Sequence, residues 1–343
     1  MKKKLAIISL SSGLLGEPFI KFEMDIGLNR LKSYGLEVVT TPHALKGMEF
    51  ISNNPSARAK DLLDALNEPS IDIILCAIGG DDTYKLLPYL FENNELQKAV
   101  QDNKKIFLGF SDTTMNHFMF NKAGFNTFYG QAFLPDVCEL EDEMLAYTKS
   151  YFDELIKTGT IKEIRPSSTW YSEREKFDES QIGIKRIQHE DRGFELLQGS
   201  SKFRGKILGG CIESIYQMFD NTRNKDSVEL CKKYNLFPSL EDWKGKILLL
   251  ESSEGFTKPE RYKTMVQRIK ETGIFNVING IIVGKPMNEV YYKEYKDILI
   301  TEINNSNLPI VYNINIGHAT PRCIMPFGVP SIVDVEKQVI RFE

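Results

Sequence analysis

At 343 residues the chain is long enough for two hydrophobic cores, since single cores stop growing at roughly 250–300 residues. Its 42% hydrophobic and 26% charged residues, with a formal net charge of −4, describe an ordinary globular protein and exclude the basic field that holds nucleic acid or anionic lipid. The five cysteines (Cys76, Cys138, Cys211, Cys231 and Cys323) are scattered and contain no CxxC pair, so neither a disulfide framework nor a zinc site is expected, and a reducing, cytoplasmic setting fits.

The opening Met1 to Leu10 (MKKKLAIISL) imitates a signal peptide, but its apolar stretch breaks at Ser11, Ser12 and Gly13 and no small-residue cleavage site follows before Glu17. A first β-strand is the expectation. Strand-like and helix-like segments then alternate: Leu5 to Leu10, Pro18 to Tyr34, Leu36 to Thr40, Pro55 to Leu66, Ile71 to Ile78, Lys105 to Phe110 and Asp112 to Lys122. This βαβ rhythm predicts a mainly parallel sheet with helices on both faces and functional loops at the carboxyl ends of the strands. Between about Ile161 and Gly205 the rhythm fails and charged residues, Pro and Ser surround Trp170, as in a long loop. A second alternation follows, through Gly205 to Ser214, Lys246 to Leu250, Pro259 to Glu271, Val277 to Val283, Glu289 to Thr301 and Pro309 to Asn315, and Ser331 to Arg341 reads as a hairpin turning near Glu336 and Lys337. The expected class is α/β with two domains. Residues 1–160 form a Rossmann-like or glutamine-amidotransferase-like parallel-sheet domain, 161–205 a linker and substrate loop, and 206–343 a smaller α/β domain. No run is long enough to span a membrane.

Three of the apolar runs lead into residues that a serine hydrolase needs: Ser111, Glu251 and His318. In open α/β sheets reactive groups gather where strands end. Gly109-Phe110-Ser111-Asp112-Thr113 sits at a strand-to-helix junction, where a tight turn thrusts the hydroxyl outward and leaves the next amide free to hold an oxyanion. The segment lacks the last glycine of a G-x-S-x-G elbow, and a Ser here also reads as a plain helix N-cap. The loop Gly79-Gly80-Asp81-Asp82-Thr83 follows another strand, and its paired glycines let the backbone approach a ligand and donate a second oxyanion amide. It equally reads as a turn whose aspartates cap the next helix. Its Gly-Gly-Asp-x-Thr pattern also occurs in NAD and diacylglycerol kinases, although Asp82 stands where glycine is expected there.

Four histidines are present, His43, His117, His189 and His318, and His318 is the favoured base because Gly317 and Pro321 frame it in a loop just past a strand. Glu251 ends an apolar strand, and a buried carboxylate needs a partner such as an imidazole N–H. Glu254 competes for that role.

The Gly79-Gly80-Asp81-Asp82 loop, Gly109-Phe110-Ser111-Asp112, Gly130-Gln131-Ala132-Phe133, Lys206-Ile207-Leu208-Gly209-Gly210-Cys211, Leu250-Glu251 and Gly317-His318-x-x-Pro321 occur together in this order. In that combination, over nearly the whole chain, the sequence resembles the LD-carboxypeptidase family of serine peptidases. The resemblance implies a triad of Ser111, Glu251 and His318, oxyanion amides from Asp112 and from Gly79 or Gly80, a cleft between two domains, no cofactor or metal, and a homodimer. The family's branches act on murein tetrapeptides or, in the microcin C immunity peptidases, on a peptidyl or aspartyl nucleotide. The Pro166 to Glu173 loop looks like the second branch, which implies that Trp170 stacks on a nucleobase, with Asp81 and Gln131 also on the substrate. The alternative for Trp170 is packing within its own loop. The partner expected is thus a small peptide or peptidyl nucleotide, neither a nucleic-acid polymer nor a membrane. Two other functions stand beside this one: a nucleotide kinase built on the GGDDT loop, and a non-catalytic protein whose two domains close on a small ligand.

Overall fold

The computed structural model describes residues 3–343, so Met1 and Lys2 of the opening segment lie outside the described residues. The first sheet is built from β1 (Lys4–Ile8), β2 (Glu37–Thr40), β3 (Ile73–Cys76), β4 (Ile106–Gly109) and β5 (Thr127–Tyr129), all parallel. Their spatial order, β5-β4-β3-β1-β2, reverses direction between β1 and β3. At such a switch point the chain leaves the two central strands in opposite senses, which opens a crevice at the carboxyl ends. The central strands β3 (IILC) and β4 (IFLG) are buried at every position, as strands covered by helices on both faces must be.

The stretch 161–205, read from the sequence as a linker, contains regular structure: β6 (Glu163–Ile164), β7 (Thr169–Tyr171), β8 (Gln188–Glu190) and β9 (Glu195–Gln198). β7 and β8 form a hairpin of their own, while β6 and β9 become the two edges of a second, eight-stranded sheet. These strands are short, polar and half-exposed, and Gln188–Glu190 (QHE) carries no apolar alternation by which a strand could be recognised. The rest of that sheet comprises β10 (Lys202–Cys211), β11 (Ile247–Glu251), β12 (Gly280–Gly284), β13 (Ile310–Ile314), β15 (Pro330–Asp334) and β16 (Val339–Phe342), with β14 (Met325–Phe327) set apart from it. β10 through β13 are parallel neighbours. The ten-residue β10 serves two environments: Lys202 to Lys206 alternates in burial against antiparallel β15, and Ile207 to Cys211 is wholly buried against parallel β11. β15 and β16 form the expected terminal hairpin, turning over Val335 to Gln338.

β14 crosses back to pair antiparallel with β5, so the carboxy-terminal part of the chain supplies an edge strand to the first sheet. Pro326 is tolerated there because an edge strand leaves one row of backbone groups unpaired. With β14 as a bridge, the buried side chains of both sheets form one continuous apolar cluster rather than the two separate cores that the length suggests. Among the described residues no helix is long and apolar enough to cross a membrane.

A wholly buried cation fixes the loops at the switch point. Arg58, on the helix Pro55–Asn67, is 0% exposed; its Nη1 donates to the carbonyls of Leu10 and Ser11, 3.1 and 3.4 Å away, and to Asp82 Oδ1 at 2.6 Å. The turns that follow β1 and β3 are thereby held together. Replacing Arg58 with leucine removes the donor to two carbonyls and leaves the Asp82 carboxylate with Lys85 alone, and is expected to lower unfolding free energy by about 2–4 kcal/mol. Urea denaturation of Arg58→Leu reads this directly, and an unchanged midpoint would contradict the assigned role.

Candidate active site

β4 ends at Gly109, Phe110 is extended, and Ser111 then adopts φ +65°. A left-handed conformation is costly for a residue with a side chain and persists only where the surroundings impose it, here by turning the hydroxyl away from the helix that follows. Ser111 does not cap that helix. The position before the first turn belongs to Phe110, no side-chain cap bond is made, and Ser111 Oγ lies 3.0 Å from His318 Nε2.

His318 Nδ1 faces Glu251 Oε2 at 2.7 Å, and the same oxygen accepts the His318 backbone amide at 3.2 Å. Glu251, the last residue of β11, is 1% exposed. Its other oxygen accepts from the Tyr129 hydroxyl at 2.6 Å, and that hydroxyl in turn accepts the Ser111 amide at 3.3 Å. Serine, tyrosine, carboxylate and imidazole therefore close a ring that joins β4, β5, β11 and the loop after β13. Gly317 makes the last step possible, because at φ +81° a Cβ on it would lie 2.3 Å from Glu251 Oε2. The ring of Phe110 meets His318 edge-on, with centroids 5.2 Å apart, and the buried Arg322 holds the His318 carbonyl at 3.2 Å.

The glycine loop reaches the same point. A Cβ on Gly79 would fall 2.6 Å from Ser111 Cβ and 3.2 Å from the Asp112 amide nitrogen, an approach open only to glycine. Ser11 and the Asp112 side chain set this distance. Ser11 Oγ donates to Asp112 Oδ2 at 2.7 Å and accepts the amides of Asp81 and Asp82, while Thr83 binds the same carboxyl oxygen through its amide and hydroxyl. Burial raises the pKa of the Asp112 carboxyl and these hydrogen bonds oppose the rise. Neither aspartate of the loop caps a helix with its side chain. Asp82 pairs with Arg58 and Lys85, and Asp81 with Arg223 from the other side of the cleft. Both carboxylates are engaged by protein cations, unlike the phosphate or metal contacts that the kinase pattern requires.

A second carboxylate touches the imidazole. Glu254 Oε2 lies 3.0 Å from His318 Nε2, the nitrogen that also faces Ser111. Burial on its own would lower the imidazole pKa, but Glu251 and then Glu254 favour the cation and raise it to about 10, while the bond to His318 holds Glu254 down at about 2. The other histidines are occupied elsewhere. His117 is buried between Thr127 Oγ1 and the Gly109 carbonyl, with burial lowering its pKa to about 4; His43 pairs with Asp61; and His189 stacks on Trp170.

Ser111, His318, Gly79, Gly80, Asp81 and Glu254 all line one cavity of about 600 Å³. Trp170, expected on the substrate, does not line it: the indole is 9% exposed, stacks on His189 with centroids 4.0 Å apart, and carries Lys285 over its face. The aromatic residue of that region which does line the cavity is Phe177, 55% exposed. Gln131 is also absent from the wall. It is fully buried, and its amide holds the carbonyls of Thr148 and Arg322, which anchors the loop behind His318. Sequence reading passed over Tyr129, whose position at the tip of β5 was the available signal, and over Glu23, Arg174, Arg186 and Arg322, which lie in unremarkable polar surroundings in the chain. Cys211, Glu251 and His318 bring three possible metal-ligand atoms within 4.8 Å of one another, but burial, Glu213 and Glu251 keep the Cys211 thiol protonated, and the other two groups already bond to each other.

Comparison with known proteins agrees along the chain. Residues 5–130 match the LD-carboxypeptidase N-terminal domain and residues 204–333 the LD-carboxypeptidase C-terminal domain. A crystal structure of an MccF-like protein from Streptococcus pneumoniae, in complex with AMP, superimposes with a TM-score of 0.98 at 59% identity, over 100% of this chain and 99% of that one. The microcin C7 self-immunity protein MccF of Escherichia coli is 24% identical over 324 residues, 92% of this chain and 86% of its own length. Its solved structures include complexes with aspartyl sulfamoyl adenosine (TM-score 0.80, 21% identity, covering 100% and 96%) and glutamyl sulfamoyl guanosine (TM-score 0.79, 20% identity, covering 99% and 96%), which at these identities speak for the fold. A Bacillus subtilis protein named "Probable murein peptide carboxypeptidase" is 21% identical over 331 residues, 94% of this chain and 87% of its own.

The two carboxylates on His318 lead to a test that needs no substrate. The Glu254 charge favours imidazolium, so Glu254→Gln is expected to lower the imidazole midpoint by about 1–3 pH units, with Glu251 still holding the ring in place. NMR titration of ring-labelled histidine measures it; identical midpoints in the two proteins would rule out the Glu254 contact in solution.

Proposed function

Since the chain belongs to the LD-carboxypeptidase family and is a peptidase-type hydrolase, we propose that it works as a serine enzyme through Ser111, His318 and Glu251, cleaving the amide that joins an acyl or peptidyl group to a nucleotide. The observation that carries the reading is the continuous hydrogen-bonded path from Ser111 Oγ through His318 to Glu251 at the wall of a cavity. The nucleotide branch draws support from the AMP complex of the relative 59% identical to this chain. The division of labour is that of two α/β units, the first carrying the nucleophile and the second the base and its carboxylate.

In this mechanism substrate entry displaces the exposed Glu254 carboxylate from Nε2, and the ring, having lost its second anion, releases its Nε2 proton to solvent and becomes a base. His318 Nε2 takes the Ser111 proton as Oγ attacks the scissile carbonyl, and Glu251 steadies the imidazolium that results. The developing oxyanion is held by the Asp112 amide and an amide of the Gly79-Gly80 pair. Imidazolium then protonates the departing nitrogen, and water deprotonated by the same ring clears the ester. Phe177 offers an aromatic face for the base of the leaving nucleotide, the role that sequence reading gave to Trp170.

Mass spectrometry of the purified protein incubated separately with aspartyl sulfamoyl adenosine and with an L,D-tetrapeptide tests the reading. Aspartate release from the first, abolished in Ser111→Ala, is expected; release of D-alanine from the tetrapeptide alone would move the substrate to the murein branch, and turnover by Ser111→Ala would remove the nucleophile. Gly79→Ala puts a methyl group against Ser111 and is expected to lower kcat by about 10²–10³ while the protein stays folded. A kcat within a few-fold of the wild type would take the glycine loop out of the oxyanion site.

A further inference from the structure

The cavity wall contains several charged side chains, and nearly all are paired. Glu139 binds Arg174 at 2.8 Å and Arg186 at 2.7 Å, and Arg186 also binds Glu173. Arg322 binds Asp136, and Arg30, on the helix Lys21–Ser33, is engaged by the carbonyls of Val137, Glu139 and Glu141. Glu23 is different. It lies in the first turn of that helix, three and four residues after Ile20 and Phe19, and shares with them, with Leu134 and with Ile78 the apolar part of the wall. The residue is 6% exposed, and Oε1 is buried with no hydrogen-bond partner among the described residues. A buried carboxyl oxygen without a donor is costly, and each such group calls for an explanation. Here the group faces a cavity, so a ligand can supply the partner.

The titratable groups around Glu23 leave its charge uncompensated. Glu139 and Cys138 face it from the adjoining segment, Arg174 and Arg186 are spent on Glu139, and burial keeps the Cys138 thiol protonated. Burial first, and Glu139 second, raise the Glu23 carboxyl pKa to about 7. Both forms are accessible near neutrality, and they have different hydrogen-bonding faces: two acceptors when ionised, one donor and one acceptor when protonated.

Building on the nucleotide reading, we propose that Glu23 reads the Watson–Crick edge of the nucleobase in the leaving group and makes base preference depend on pH. The carboxylate accepts both N1–H and N2–H of guanine. The carboxylic acid donates to adenine N1 and accepts from N6–H. Guanine is therefore favoured as pH rises through neutrality and adenine as it falls. No bond is made or broken in this step; a proton moves between the carboxyl group and solvent.

Calorimetric titration of the wild-type protein with AMP and with GMP, at pH 6 and pH 8, tests the proposal. The phosphate titrates alike in both nucleotides, so the ratio of their dissociation constants isolates the base, and Kd(AMP)/Kd(GMP) is expected to rise roughly tenfold or more between the two pH values. In Glu23→Gln the amide mimics the acid form, so AMP binding is retained, GMP binding weakens and the ratio no longer varies with pH. If both nucleotides bind with a constant ratio that Glu23→Gln leaves alone, Glu23 does not read the base and the nucleotide reading survives. If neither nucleotide binds, the nucleotide reading fails and this proposal fails with it.

Discussion

One imidazole ring has to face two directions at once, and the architecture follows from that demand. His318 reaches a carboxylate at the end of β11 with one nitrogen and a hydroxyl at the end of β4 with the other, at 2.7 and 3.0 Å. Those strands belong to different sheets, so a displacement of about 1 Å between the sheets would break the path. The structure restrains it with β14 laid on β5, with the Tyr129 hydroxyl shared between Ser111 and Glu251, and with the Cys211 amide bonded to Thr114 Oγ1 at 2.9 Å. A continuous apolar cluster beneath these contacts makes the two sheets one mechanical unit.

Electrostatics sharpen the picture. A ring flanked by two carboxylates is stabilised as a cation, which suits the moment after proton transfer and opposes the moment before it. The two anions differ in a way that resolves the conflict: Glu251 is buried and bonded on both oxygens, whereas the Glu254 side chain is 66% exposed in the loop that follows β11. One is fixed and the other is free to be replaced by a ligand. Along the rest of the cavity, arginines and carboxylates neutralise one another in pairs, so a neutral or singly charged substrate meets little net field there. Among the described residues of the wall, buried side-chain atoms without a partner remain at Glu23 Oε1, Arg174 Nε and Arg322 Nε, and Glu23 is the one whose charge no neighbouring group of opposite sign offsets.

Much of this was legible in the chain because parallel strands buried on both faces are continuous apolar runs, and the residue after such a run stands at the carboxyl edge. That rule put Ser111, Glu251, His318 and the Gly79-Gly80 pair at strand tips but left the helix-cap and turn readings open beside the catalytic one, and it was the joint resemblance to the LD-carboxypeptidase family that implied their roles. Trp170 and Gln131 could not be placed by it. The motif positions of both lie beside the site, but their side chains turn into the protein, one onto His189 and the other onto backbone carbonyls behind the His318 loop. Strands β6 to β9 escaped notice because edge and hairpin strands with one wet face carry polar residues, and β14 because three residues with a proline have no periodicity to read.

The sequence by itself determined the alternation of strands and helices, the tips at which hydroxyl, carboxylate and imidazole appear, and the glycines that admit close backbone approach, because burial pattern and backbone freedom are local properties of the chain. Only the tertiary structure decided which tips meet, which aromatic residue faces the cavity, and which charges remain unpaired within it. Those outcomes depend on contacts between residues more than one hundred positions apart, such as Tyr129 with Glu251 and Ser111 with His318. No local pattern encodes them, since they arise when two sheets pack and each polar group is forced to find a partner or go without.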